Sequence, residues 1–166
     1  MDSETESRLR RLEGLEAIRQ LVYRYAALCD DAYNPYGLAE LFTEDAYWTA
    51  SSPDGAVTFG EYHSRDEIRD FFAGVSETLG PMTLHYLMAP SIRLDDDGRS
   101  GTGAWYVLVP ATMRTDAAPA GEAVLIGSTA AHVYAKVGET WKFARMQTTM
   151  HFRSPLARGW VEVPYV

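Results

Sequence analysis

Every segment of this chain with helical periodicity lies before Pro81, and every long run with strand character lies after it. Alternating helices and strands would build a parallel sheet through crossovers. A segregated order instead leaves the strands to pair as antiparallel neighbours and the helices to cover one face of the sheet. Leu12, Leu15, Ile18, Val22, Tyr25, Ala26 and Cys29 draw one apolar stripe. Its spacing predicts an amphipathic helix over residues 8–29, with the charge-alternating residues 1–11 fraying at its start. Asn34-Pro35 supplies an N-cap and a proline at the first helical position, opening a short helix that ends near Phe42. Ser64 followed by Glu67 forms a capping box for a third helix, whose stripe is Ile68, Phe71, Phe72, Val75 and Leu79 and which stops at Gly80-Pro81. Residues 46–49 and 57–62 read as a short hairpin between the second and third helices. Beyond Pro81 the runs 83–89, 100–113, 122–136 and 140–152, divided by Asp- and Gly-rich turns, predict a four-stranded meander.

The expected fold class is therefore α+β, a single domain over residues 1–166 with three N-terminal helices on a curved antiparallel sheet. Residues 153–166 carry Trp160, Val161, Val163 and Tyr165. So apolar a tail is expected to pack on the domain or on a partner subunit.

Charge and composition narrow the function classes. Asp and Glu number 23 against 15 Lys and Arg, for a net charge of −8, which opposes nucleic acid and anionic membrane surfaces as partners. No run approaches the ~20 apolar residues of a membrane span. The charged N-terminus lacks the apolar core of a secretory signal, so the expected compartment is the cytoplasm. Cys29 is the single cysteine; it lies on the apolar stripe and reads as an inert buried thiol. His63, His85, His132 and His151 show no metal-ligand spacing, and no metal is expected. Gly98, Gly101 and Gly103 approach a glycine-rich loop but precede a strand, where a phosphate cradle needs a helix, so no cofactor is expected.

An acid–base pair remains. His85 stands in an apolar run, Thr83 to Met88, where its imidazole should be largely removed from water and in need of a partner. Asp30 and Asp31 end the first helix, where the partial negative charge of the helix C-terminus makes an acid unfavourable unless something else employs it. If either carboxylate accepts the Nδ1 proton of His85, the other ring nitrogen becomes an oriented base. The plainer readings are a histidine satisfied by a backbone carbonyl and two solvated acids.

The order of elements, with residues 18–30 (IRQLVYRYAALCD), 38–48 (LAELFTEDAYW), 83–90 (TLHYLMAP) and 141–156 (WKFARMQTTMHFRSPL), resembles the SnoaL-like branch of the nuclear transport factor 2-like superfamily. The resemblance implies a cone-shaped α+β barrel around an apolar cavity. Within the branch the chain is most similar to the cofactor-independent lyases hexachlorocyclohexane dehydrochlorinase, scytalone dehydratase and bile-acid dehydratase. Their catalytic dyad, an Asp ending the first helix and a His after the third, falls on Asp30 and His85. The resemblance also puts Tyr25, Ser128, Met146, Thr148 and Met150 on the cavity wall. Where the dehydrochlorinase has a cavity arginine this chain has Met146, and where bile-acid dehydratase has an acid it has Val109.

Trp48, Tyr25, Leu87, Met88, Tyr106, Met146 and Met150 are soft or aromatic side chains suited to enclosing a flat or polycyclic molecule, and equally to an ordinary core. His132 reads as a structural strand residue or as a second polar group near the mouth. The expected function is proton abstraction from a hydrophobic cyclic substrate, in a dehydratase, dehydrohalogenase or polyketide cyclase-like reaction, with Tyr25, Ser128 or Tyr106 bonding the developing oxyanion. The alternatives are a non-catalytic binding or adaptor module of the same fold, or a subunit similar to the small subunit of ring-hydroxylating dioxygenases. A homodimer or homotrimer is expected, and a small hydrophobic substrate is the expected partner.

Overall fold

The computed structural model describes residues 2–116 and 118–166. Its elements run α1 (Ser3–Asp30), α2 (Pro35–Ala39), β1 (Phe42–Ser51), β2 (Thr58–Tyr62), α3 (Arg65–Thr78), β3 (Leu79–Thr83), β4 (Tyr86–Leu94), β5 (Ser100–Thr115), β6 (Ala118–Val137), β7 (Thr140–Pro155) and α4 (Gly159–Glu162). The helices pack on a strongly curled seven-stranded sheet, a half-barrel with strand order β2-β1-β7-β6-β5-β3 and with β4 also on β5.

Local chemistry explains the helix starts. Residues 3–11, read from sequence as a fraying end, are helical: Thr5 N–H donates to the Asp2 cap at 2.7 Å, and Glu4 and Glu6 sit in the first turn, where the helix dipole favours acids. This half of α1 is solvated, and only its later turns bury Ile18, Leu21, Val22, Tyr25 and Cys29. Asn34 caps α2 through Gly37 N–H, and Ser64 caps α3 through Glu67 N–H. Glu67 completes that cap by accepting from His63 N–H at 2.8 Å.

The sheet departs from the expected antiparallel order in one place: β1 and β7 are parallel, from Phe42 opposite Phe143 to Ser51 opposite Thr149. Turn residues announce hairpins between consecutive strands, but this pairing joins strands about ninety residues apart and has no local turn to announce it. The predicted first meander strand is also broken in two, β3 and β4, with Leu84 and His85 in the break.

Phe42, Phe72, Phe143 and Trp105 are almost wholly buried between the helices and the concave sheet face, each contributing roughly 2 kcal/mol through lost apolar surface. The C-terminal tail closes over β7: Arg153 N–H donates to Pro164 O at 2.8 Å, Val166 N–H to Arg153 O at 2.9 Å, and Trp160 stacks on Phe152. Among the described residues, no helix is long and apolar enough to cross a membrane.

Candidate active site

The site begins where α1 ends. Asp31 closes the helix through its backbone N–H to Ala27 O at 3.0 Å, and its side chain points to solvent. Ala32 and Tyr33 follow with φ of 53° and 54°, a left-handed conformation that costs a residue with a Cβ about 1–2 kcal/mol. Two such residues in succession reverse the chain at once. They return Tyr33 beneath the helix end, where its N–H donates to Cys29 O at 3.2 Å and its ring stacks on Phe72.

The same helix end presents the Asp30 carboxylate to the break between β3 and β4. Asp30 Oδ1 accepts two hydrogen bonds from His85, one from the backbone N–H at 2.9 Å and one from ring Nδ1 at 2.8 Å. The break in the strand matters here, because it frees the His85 N–H from the sheet ladder to bond the carboxylate. Of the two acids at the helix end, Asp30 makes the contact. With the proton on Nδ1 the neutral imidazole keeps a lone pair on Nε2, and the Tyr33 hydroxyl lies 3.3 Å from that atom. Burial, with the nearby Cys29 and Asp30, pushes the Tyr33 phenol well above its ordinary value, so it stays a neutral donor. The His85 side chain is 13% exposed and that of Asp30 27%, which leaves the pair at the boundary between core and solvent.

His85 and Tyr33 form part of the wall of a cavity of about 100 Å³ between the helices and the concave face of the sheet. Tyr25, Trp48, Leu87, Ser128, Met146, Thr148 and Met150 line the same cavity. Met88 and Tyr106 do not, contrary to the sequence reading. They face each other across the β4–β5 ladder on the outer surface, 44% and 62% exposed. Parity forces this outcome. Leu87 and Val107, one position before and one after, point inward, so their strand neighbours Met88 and Tyr106 must point outward. Tyr106 is therefore unavailable to an oxyanion in the cavity.

Sequence reasoning missed Tyr33, which lies in a turn with no periodicity to mark it. Its neighbours offered one signal: an aromatic residue between an acid pair and an N-cap asparagine is too large to be left in solvent without loss. Also missed were Phe71 and Phe72 of α3, read as core, which wall the cavity beside Trp48.

At the cavity wall formed by β6, His132 is 2% exposed. Its Nδ1 lies 2.9 Å from the Tyr134 hydroxyl, which accepts from Trp105 Nε1–H at 3.0 Å. Burial alone pushes His132 down to about 3, so the ring is neutral. Tyr25 accepts a long 3.4 Å bond from Trp48 Nε1–H, and burial drives its phenol, like the Cys29 thiol beside it, far above the ordinary range. Cys29 is therefore an inert thiol and Tyr25 a neutral one-proton donor.

Residues 10–147 match the SnoaL-like domain family, to which the chain belongs. A type 2 hexachlorocyclohexane dehydrochlorinase superposes with a TM-score of 0.75 at 22% identity, over 89% of this chain and 92% of that one. A protein of Novosphingobium aromaticivorans provisionally assigned as a scytalone dehydratase gives 0.73 at 19%, over 93% and 99%. A nuclear transport factor 2-like protein with a cystatin-like fold from the same organism gives 0.66 at 19%, over 90% of both chains. A search of curated proteins returned no match. At these identities the likenesses establish the fold alone, a cystatin-like fold.

Proposed function

We propose that the protein is a cofactor-independent lyase or isomerase in which His85, oriented by Asp30, removes a proton from carbon in a hydrophobic cyclic substrate held in the cavity. The observation that carries this reading is the 2.8 Å contact between His85 Nδ1 and Asp30 Oδ1 at the wall of an apolar cavity. When Nε2 takes the substrate proton, the ring becomes an imidazolium facing a carboxylate. The carboxylate holds the ring in the tautomer that leaves Nε2 free to accept, and so orients the base. The Tyr33 hydroxyl must turn away from Nε2 as the substrate approaches, and it then becomes a donor for a leaving group or a developing oxyanion. The electron pair of the broken C–H bond either expels a β-substituent such as halide or hydroxide, or is protonated elsewhere on the ring. The dehydrochlorinase and the provisional dehydratase among the structural relatives support the elimination branch.

The test is turnover of three probe classes: chloride release from hexachlorocyclohexane, dehydration of a cyclic β-hydroxyketone, and deuterium uptake at the α-carbon of a cyclic ketone in heavy water. Activity on at least one class is expected, with His85→Ala and Asp30→Asn each lowering kcat by about 10²- to 10⁴-fold. A wild-type protein that binds such compounds and transforms none is a binding module instead, and full activity in both variants removes the dyad from the mechanism.

A further inference from the structure

The chain of hydrogen bonds from Trp105 through Tyr134 to His132 has a direction set by what its members can donate. An indole N–H only donates, so Trp105 Nε1 gives its proton to the Tyr134 oxygen. Tyr134 is fully buried, and among the described residues its own hydroxyl proton has one acceptor within reach, His132 Nδ1 at 2.9 Å. Any other orientation would leave a buried donor unpaired. Nδ1 therefore accepts, and the ring proton of the neutral imidazole sits on Nε2. That atom has no protein partner among the described residues, while the ring forms part of the cavity wall. Gly103, opposite His132 on β5, leaves the relay its space: a Cβ there would stand 2.9 Å from the Tyr134 hydroxyl and 3.2 Å from Trp105 Nε1.

We propose that His132 Nε2–H is the second polar pole of the cavity, a fixed neutral donor that binds the carbonyl oxygen of an apolar ketone or lactone. This inference rests on the cavity being the substrate site, and it narrows the substrate class to neutral carbonyl compounds. Among the described residues the lining carries no Lys or Arg, so a carboxylate would lose its hydration there without gaining a countercharge. In the reaction, the proton on the carbon beside the carbonyl passes to His85 Nε2, the C–H electron pair becomes the C=C bond of the enolate, and the carbonyl π pair moves onto the oxygen. His132 keeps its proton and stabilises the resulting enolate through the hydrogen bond.

The test uses 1-indanone and indane, near-identical in shape and differing in the carbonyl, with binding followed by calorimetry and the ketone followed by its carbonyl infrared band. In the wild-type protein the ketone is expected to bind about 5- to 10-fold more tightly than the hydrocarbon, with its carbonyl band shifted to lower frequency. His132→Phe should abolish both the preference and the band shift while leaving indane affinity within about twofold. Equal binding of the two probes by the wild-type protein overturns the second pole and leaves the cavity reading standing; binding of neither overturns both. If His132→Phe fails to fold, nitrogen-15 NMR of histidine-labelled wild-type protein decides: an Nε2–H tautomer at His132 supports the proposal, and an Nδ1–H tautomer overturns it.

Discussion

His85 and His132 line one cavity and differ in almost everything else. His85 stands in a strand break at the boundary with solvent and bonds a carboxylate, whereas His132 lies in the middle of β6, is wholly enclosed and bonds a phenol. The Asp30 carboxylate accepts the Nδ1 proton of His85 and leaves Nε2 an acceptor, whereas the Tyr134 hydroxyl donates to His132 Nδ1 and leaves its Nε2 a donor. Burial holds the His132 ring neutral. The partner on each Nδ1 decides whether Nε2 accepts or donates, so two histidines on one cavity take opposite roles.

The largest effect that can break this contrast is at the charged pole. If Asp30 acts only through His85, the double variant Asp30→Asn with His85→Ala should be no slower than His85→Ala alone, because members of one catalytic unit do not add. Multiplicative losses in single-turnover kinetics would separate the two residues. At the neutral pole, Gly103→Ala should cost about 1–3 kcal/mol in urea denaturation, as the new methyl group pushes Tyr134 and Trp105 apart.

The third expectation concerns pH. The unfolded chain binds a proton at His132 below the ordinary value of 6.5, while the folded chain does so only near 3. Stability is therefore fully present above pH 6.5 and is lost as the pH falls between these values, by about 1.4 kcal/mol per pH unit at most from this one group. His132→Gln should flatten that slope in denaturation curves measured from pH 7 to 4; an unchanged slope would mean that His132 titrates normally. Tyr33→Phe, which removes a long bond to His85 Nε2, should change stability by only about 0.5–1.5 kcal/mol. Smallest of all, Tyr106→Ser on the outer face should leave probe binding in the cavity unchanged and stability within about 0.5 kcal/mol.

Much of the site was readable from particular residues. The helix stripe and its abrupt end in two acids located Asp30 next to the core, and the apolar run around His85 marked a histidine in need of a partner. The inward set on β7, Met146, Thr148 and Met150, followed from strand alternation and family resemblance together. The same alternation, applied consistently, would have rejected Met88 once Leu87 was taken. Tyr33 was harder, since its position depends on two left-handed residues that no glycine announces.

What the sequence determined by itself is local and periodic: where helices start, which face of each element is apolar, and that helices and strands segregate into an α+β fold. These follow from capping, side-chain spacing and turn chemistry, all of which act over a few residues. Only the tertiary structure decided that Asp30 meets His85 across 55 residues, that β1 and β7 close the sheet in parallel, and that His132 is left with an unpartnered ring nitrogen. Such contacts depend on how far the sheet curls and where a strand breaks, and those are settled by the packing of the whole core.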